Sequence, residues 1–356
     1  MRFIAANCLR EGMVLARPLY RNTDTMLAAG VTLNESYISS ILRGGFTGVY
    51  IHDDLSADID VHSIISDELR HETAKRLRKI FDATASGAPT PGRLPDISTQ
   101  VENIVDELFA NRDVMVNMLD LSSYDNYTCS HSINVAVLSI VLAMAMGSPR
   151  SEVIGLGAGA LLHDIGKVFI SKDILHKQGA LSDAEWKLMR KHPKDGFDYI
   201  TKSCYLPMRH CSAILDHHEK MDGTGYPFGK AGTAISLAGR ICAVADVYDA
   251  LVSKRPYRDA IFPCECVEYV MGGSGTLFDP KVVDVFVQRI APYPVGTSVR
   301  LSNGWLGLVV ENFVSYSLRP RIRVYQQDGQ QIKPFEISLK DDLKYLNVTI
   351  VGIAQE

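Results

Sequence analysis

The spacing of apolar and polar positions changes character near residue 97 and again near residue 293. Before the first change, strand-like runs from Met13 to Tyr20 and from Gly48 to His52 flank a helical pattern over Asn34 to Leu42. Residues 1–62 therefore read as a small mixed α/β N-terminal domain. Residues 63–84 favour a charged helix, and SGAPTPGRLPD has the Gly and Pro content of a linker, so 63–97 reads as a helical segment and linker. From 98 to 292 the pattern is helical throughout. Ser182 and Glu185 have capping-box spacing and predict a helix that carries His192 near its end, just before Pro193. Asp246 and Asp249 stand three apart in the apolar segment Leu237 to Val252, on one helical face. After 293 the Val-rich segments VGTSVRLSN, WLGLVVENF, RPRIRVYQQDGQQI and LNVTIVGI alternate, and Asp328-Gly329 predicts a hairpin turn. Residues 293–356 thus read as a small β-rich C-terminal module, and the chain as a mainly α protein built on a helical bundle.

Composition leaves room for a large core in more than one domain: 356 residues, 46% hydrophobic and 22% charged. A net charge of -4 argues against broad binding to DNA or RNA polymers, while a local basic pocket for a phosphorylated ligand stays compatible with it. Seven cysteines, odd in number and without CxxC spacing, fit a reducing cytoplasm. The opening MRFIAANCLREG lacks a signal-peptide apolar stretch. The segment Ile133 to Met146 is short of the ~20 residues a membrane span needs, so it predicts a buried core helix and no membrane insertion.

Two adjacent pairs, His163-Asp164 and His217-His218, stand in a series with His131, His192 and Asp246. Seven nitrogen and oxygen ligands are too many for one tetrahedral site and suit two metals sharing a bridge. Neighbouring helical residues point about 100° apart, which also favours two ions side by side. Imidazole and carboxylate without thiolate select iron, manganese, zinc or nickel. Burying so many ionisable groups without a metal would be costly. Among the other histidines, His176 and His210 read as core residues and His52, His62 and His71 as surface residues. Glu219 reads as support for a ligand histidine, and Asp222 as the cap of a Gly-rich loop.

The segments YTCSHS, LLHDIGKV, HP at 192–193, HHEKMDGTGYP and ADVYDALVSKRPYR, in that order, resemble the HD-GYP domain, a branch of the HD metal-dependent phosphohydrolases. The resemblance covers roughly residues 98–292 and implies an HD-type helical core. It implies two divalent ions, iron or manganese, held by His131, His163, Asp164, His192, His217, His218 and Asp246, with Asp164 bridging. By the same resemblance Lys167 faces phosphate, Tyr226 contacts substrate, and Arg255 and Arg258 bind phosphate or guanine. Asp249 orients a water or protonates the leaving oxygen, with a capping or salt-bridge role as its alternative. Some members carry a glutamate four residues before the first ligand histidine and bind a third metal; Tyr127 stands there in this chain, so two ions are expected.

The activity implied is hydrolysis of cyclic di-GMP to pGpG, with or without a further cut to GMP, by a metal-bridging hydroxide. Two alternatives stand beside it: hydrolysis of a hybrid cyclic GMP-AMP dinucleotide, and a cyclic-dinucleotide receptor with little turnover. Residues 1–62 resemble the region that precedes HD-GYP in some bacterial proteins. A regulatory or dimerising role follows from that, with a homodimer or signalling proteins as partners.

Overall fold

The computed structural model describes residues 1–21, 24–46, 48–61, 63–87, 94–110, 115–117, 127–203, 206–253 and 262–354. At the N-terminus, strands β1 (Arg2–Ala5) and β2 (Val14–Leu15) flank β5 (Gly48–His52) in a three-stranded antiparallel sheet, while β3 (Leu19–Arg21) and β4 (Asp24–Leu27) pair separately. Helix α1 (Glu35–Arg43) starts where Asn34 accepts the Tyr37 N–H at 2.9 Å. Ile4, Leu15, Leu33, Ile41, Val49 and Ile51 form the core of this region.

The main core is helical. It is shared by α2 (Asp67–Ala85), α3 (Leu94–Ala110), α4 (Tyr127–Ala145), α5 (Arg150–Leu161), α10 (Leu237–Val252), α11 (Pro263–Gly272) and α12 (Pro280–Arg289). Leu77 and Ile80 of α2 pack in the same cluster as Ile97, Val101 and Ile104 of α3, so α2 is a wall of this core. Every residue from His131 to Ile140 is buried, as expected of a helix that is apolar all round. Between α5 and α10 the chain runs through the short helices α6 (Lys172–Leu175), α7 (Asp183–Met189), α8 (His192–Ser203) and α9 (Ser212–Asp216).

The capping box at Ser182 and Glu185 forms in both directions, but the helix it starts ends at Met189. His192 opens α8 instead of ending α7. Pro193 explains the break: inside a continuing helix it would remove a hydrogen bond, whereas in the first turn of a new helix its missing N–H is harmless.

At the C-terminus, β6 (Ser298–Leu301), β7 (Leu306–Glu311), β8 (Arg321–Gln327), β9 (Gln330–Ser338) and β10 (Ile350–Ile353) form one antiparallel sheet in the order β10-β6-β7-β8-β9. Asp328 and Gly329 both have positive φ, 49° and 79°, and close the expected two-residue hairpin between the paired Gln327 and Gln330. The two ends of the molecule meet: the Phe3 N–H donates to the Gly296 carbonyl at 2.8 Å, and Arg323 grips Asp58 at 2.5 and 2.7 Å. That grip lowers the Asp58 pKa to about 2, though at so exposed a carboxylate it adds little to stability. No helix among the described residues is long and apolar enough to cross a membrane.

Candidate metal centre

Five separate stretches bring the seven candidate ligands to one place. His131 lies on α4, His163 and Asp164 on the turn after α5, His192 at the start of α8, His217 and His218 just past α9, and Asp246 on α10. All seven fall into three overlapping groups of close ligand atoms: Asp164, His192, His217 and His218; His131, His163 and Asp164; and His163, His217 and Asp246. Asp164 belongs to the first two. Its Oδ1 stands 3.4 Å from His192 Nε2 and 3.9 Å from His217 Nε2, while its Oδ2 stands 3.4 Å from His163 Nε2 and 3.8 Å from His131 Nε2. One carboxylate oxygen thus faces each group.

The tautomers decide what these histidines offer. Backbone carbonyls can only accept, so Nδ1 of His163 donates to Ala160 O at 2.7 Å, His192 Nδ1 to Met189 O at 2.8 Å and His217 Nδ1 to Ile214 O at 2.9 Å. In the neutral rings Nε2 therefore carries a lone pair. His192 Nε2 and His217 Nε2 face each other at 3.2 Å with no proton to share. Nearby, His163 Nε2 and Asp164 Oδ1 are buried without a hydrogen-bond partner. Converging lone pairs and orphaned acceptors are repulsive and costly unless a cation sits among them. The donor set fits divalent transition metals.

Burial holds the pKa of His192 at about 3 and of His218 at about 4, and pushes His217 well below its usual range; these rings wait as neutral ligands. Burial opposes charge on His131 too, but hydrogen bonds to Asp246 and Asp249 outweigh it and raise its pKa to about 9. For Asp164, burial would raise the pKa, yet the positive charge of Lys167 and the neighbouring imidazoles keep it well below the carboxylate range. These shifts predict a pH optimum for the metal-free fold. Below about 6.5 the unfolded chain takes up protons that folded His192 and His218 refuse, so stability falls with pH; above 6.5 the contribution of His131 is lost as pH rises through about 9. The melting temperature of chelator-treated protein is expected to peak near pH 6.5 and to fall on both sides, and a steady rise from pH 5 to 9 would contradict this.

Around the ligands, Lys167 Nζ donates to Asp164 Oδ2 at 2.5 Å. The Tyr226 ring packs 4.6 Å from the His218 ring, and its hydroxyl pKa is raised by burial and by Asp246 and Asp164, so it stays a proton donor. The loop bearing Tyr226 is folded tightly: the Tyr226 N–H donates to His218 O at 3.1 Å, and a Cβ on Gly225 would lie 2.4 Å from Lys220 N and 2.6 Å from His218 O. Only glycine allows that backbone approach. Glu219, expected to support a ligand histidine, instead accepts the N–H groups of Phe228 and Lys230 at 2.8 and 3.0 Å and ties the loop closed. Asp222 caps the loop through Thr224, as its position suggested.

Asp249 is fully buried behind His131. Its Oδ2 pairs with His131 Nδ1 at 2.7 Å and its Oδ1 accepts from Asn134 at 2.8 Å. Both oxygens are thus engaged, one by the His131 ring and the other by the Asn134 amide. His176, expected in the core, is exposed. Arg255, Arg258, His62 and the side chain of Tyr127 lie outside the described residues. Sequence reasoning missed Asn134, whose partners are 64 and 115 positions away.

Residues 113–282 match the HD domain family. The chain is 38% identical over 232 residues to a cyclic di-GMP phosphodiesterase of Pseudomonas aeruginosa, covering 64% of this chain and 56% of that protein. It is 35% identical over 199 residues to a 3'3'-cGAMP-specific phosphodiesterase of Vibrio cholerae, covering 54% of this chain and 38% of the relative. The chain thus spans about half or less of the length of these relatives. A solved structure described as a HDG"Y"P protein from Bdellovibrio bacteriovorus superposes on 80% of this chain and 97% of its own, with a TM-score of 0.51 at 17% identity, which speaks for the fold. With the His163-Asp164 pair and the Gly225–Pro227 triplet in this setting, the segment 113–282 belongs to the HD-GYP family of HD domain proteins.

Proposed function

We propose that this chain is a metal-dependent phosphodiesterase that opens cyclic di-GMP to pGpG, with or without a further cut to GMP. The observation that carries the reading is the convergence of seven nitrogen and oxygen ligands in three overlapping groups, two of which share the carboxylate of Asp164, with Lys167 and Tyr226 at its edge. His131, His163 and Asp164 would hold one divalent ion and Asp164, His192, His217 and His218 a second, with Asp246 completing the set; iron and manganese suit these donors. Such ions, when bound, supply Lewis acidity and an activated water at neutral pH.

The chain's own residues do the rest. Asp249 keeps His131 in the tautomer that offers Nε2. Lys167 offsets negative charge on the phosphoryl oxygens, and the protonated Tyr226 hydroxyl donates to the substrate. Arg255 and Arg258 grip phosphate or the guanine edge. We assign this catalysis to residues 98–292 of a cytoplasmic protein, with residues 1–62 as a regulatory or dimerising unit, 63–97 as a helical segment and linker whose helix α2 walls the catalytic core, and 293–356 as supporting structure.

The likeness to a cGAMP-specific relative supports a second reading, a hybrid cyclic GMP-AMP substrate, because purine discrimination rests on a few pocket contacts. Protein purified without oxygen or chelator is expected to contain two equivalents of metal and to convert cyclic di-GMP, followed by chromatography, faster than the hybrid dinucleotide in a competition assay. Intact cyclic di-GMP with both iron- and manganese-loaded protein would sink the reading; binding without turnover would point to a receptor.

A further inference from the structure

We propose that Arg70 of α2, outside the segment that matches the HD domain family, is a positioning residue for the metal centre. It acts on His131 through Asn134 and Asp249. The inference rests on the metal-centre reading above and adds a residue to it. Arg70 is 3% exposed, and its Nη1 donates to Asn134 Oδ1 at 2.8 Å. Asn134 Nδ2 donates to Asp249 Oδ1 at 2.8 Å, and Asp249 Oδ2 meets His131 Nδ1 at 2.7 Å. The opposite nitrogen of that ring, Nε2, faces Asp246 at 3.1 Å.

The series has a direction that Arg70 imposes. A guanidinium can only donate, so the amide oxygen of Asn134 must face it and the amide nitrogen must face Asp249. Without that constraint the amide can flip and turn its oxygen on a buried carboxylate. With it, Asp249 receives a proton donor on each oxygen and stays an acceptor for His131 Nδ1–H, so that Nε2 is the nitrogen a cation would take, in exchange for the proton shared with Asp246. Arg70 also places a positive charge near Asp249 in a site where an uncompensated carboxylate would be costly. A buried arginine is an expensive residue to keep in a helix wall for packing alone.

The test is Mn2+ binding measured by competition with a fluorescent chelator, on the full chain, with circular dichroism and melting of the metal-free protein alongside. Wild type is expected to bind two Mn2+ ions. In Arg70→Gln one of the two dissociation constants is expected to rise about tenfold while the other holds within twofold, in line with the usual effect of groups that orient metal ligands. Arg70→Lys, which keeps a cationic donor for Asn134, is expected to recover most of that loss. Weakening of both ions alike, both constants within twofold of wild type, or no recovery with lysine would overturn the proposal. If Arg70→Gln does not reach the wild-type fold, Asn134→Ala is read in its place: the same selective loss supports the relay, and its absence overturns it. Failure of wild type to bind Mn2+ would overturn the metal-centre reading and this inference with it, an outcome distinct from unaltered binding by the variants.

Discussion

Replacing Asp164 by Asn is expected to remove metal binding and at least a thousandfold of turnover in one step. The carboxylate is the member common to two ligand groups, each oxygen facing a different pair of imidazoles. An amide keeps the shape but loses the charge, and its nitrogen end turns a donor toward a cation. Lewis-acid assistance is worth several kcal/mol, so about 4 kcal/mol lost corresponds to roughly a thousandfold in rate. Lys167, bonded to Asp164 at 2.5 Å, would lose its anion as well. Metal content and initial rate measured on the same preparation check this; a variant that keeps two ions and most of its activity would show that Asp164 is not the hub.

A second large effect is expected at a residue that offers no ligand atom of its own, Gly166. A Cβ built there would lie 1.9 Å from the His192 carbonyl oxygen and 2.7 Å from the Gly196 nitrogen, both backbone atoms that cannot rotate aside. Gly166→Ala must therefore push the turn carrying His163 and Asp164 away from the start of α8. Forced overpacking of this kind costs on the order of 3 kcal/mol, a fall of roughly 5–10 °C in melting temperature for a domain of this size. Because the displaced atoms flank His192, metal affinity should fall with stability. Scanning calorimetry of metal-free protein and a manganese titration measure the two, and a variant that melts like wild type would show that the backbone yields more easily than its packing suggests.

These two residues show what the sequence conveyed and what it hid. Ligand chemistry was legible because His and Asp have few other reasons to recur in adjacent pairs within apolar helices, and their order supplied the family. Gly166 was readable only as part of a motif, since its necessity comes from α8, which approaches from 26 positions later in the chain. The helix boundary at His192 was misjudged because capping signals mark where a helix starts, and the stop was set by Pro193. Glu219 and Asp249 were assigned by proximity in sequence to ligands, whereas their partners are loop amides and an asparagine on another helix. Helix α2 was taken for a connector because its sequence is charged, yet its apolar stripe, Leu77 and Ile80 among it, is buried in the main core.

The Glu219 tie has a consequence for the thermodynamics of recognition. One buried carboxylate clasps two backbone amides on the far side of Tyr226, and the Tyr226 amide is bonded back to His218, so the loop is fixed at both ends before any ligand arrives. The conformational freedom of this stretch of backbone is thus surrendered during folding, and ligand capture need not order it again. Association at this face should be limited by desolvation and electrostatic fit, not by the rearrangement of a waiting loop.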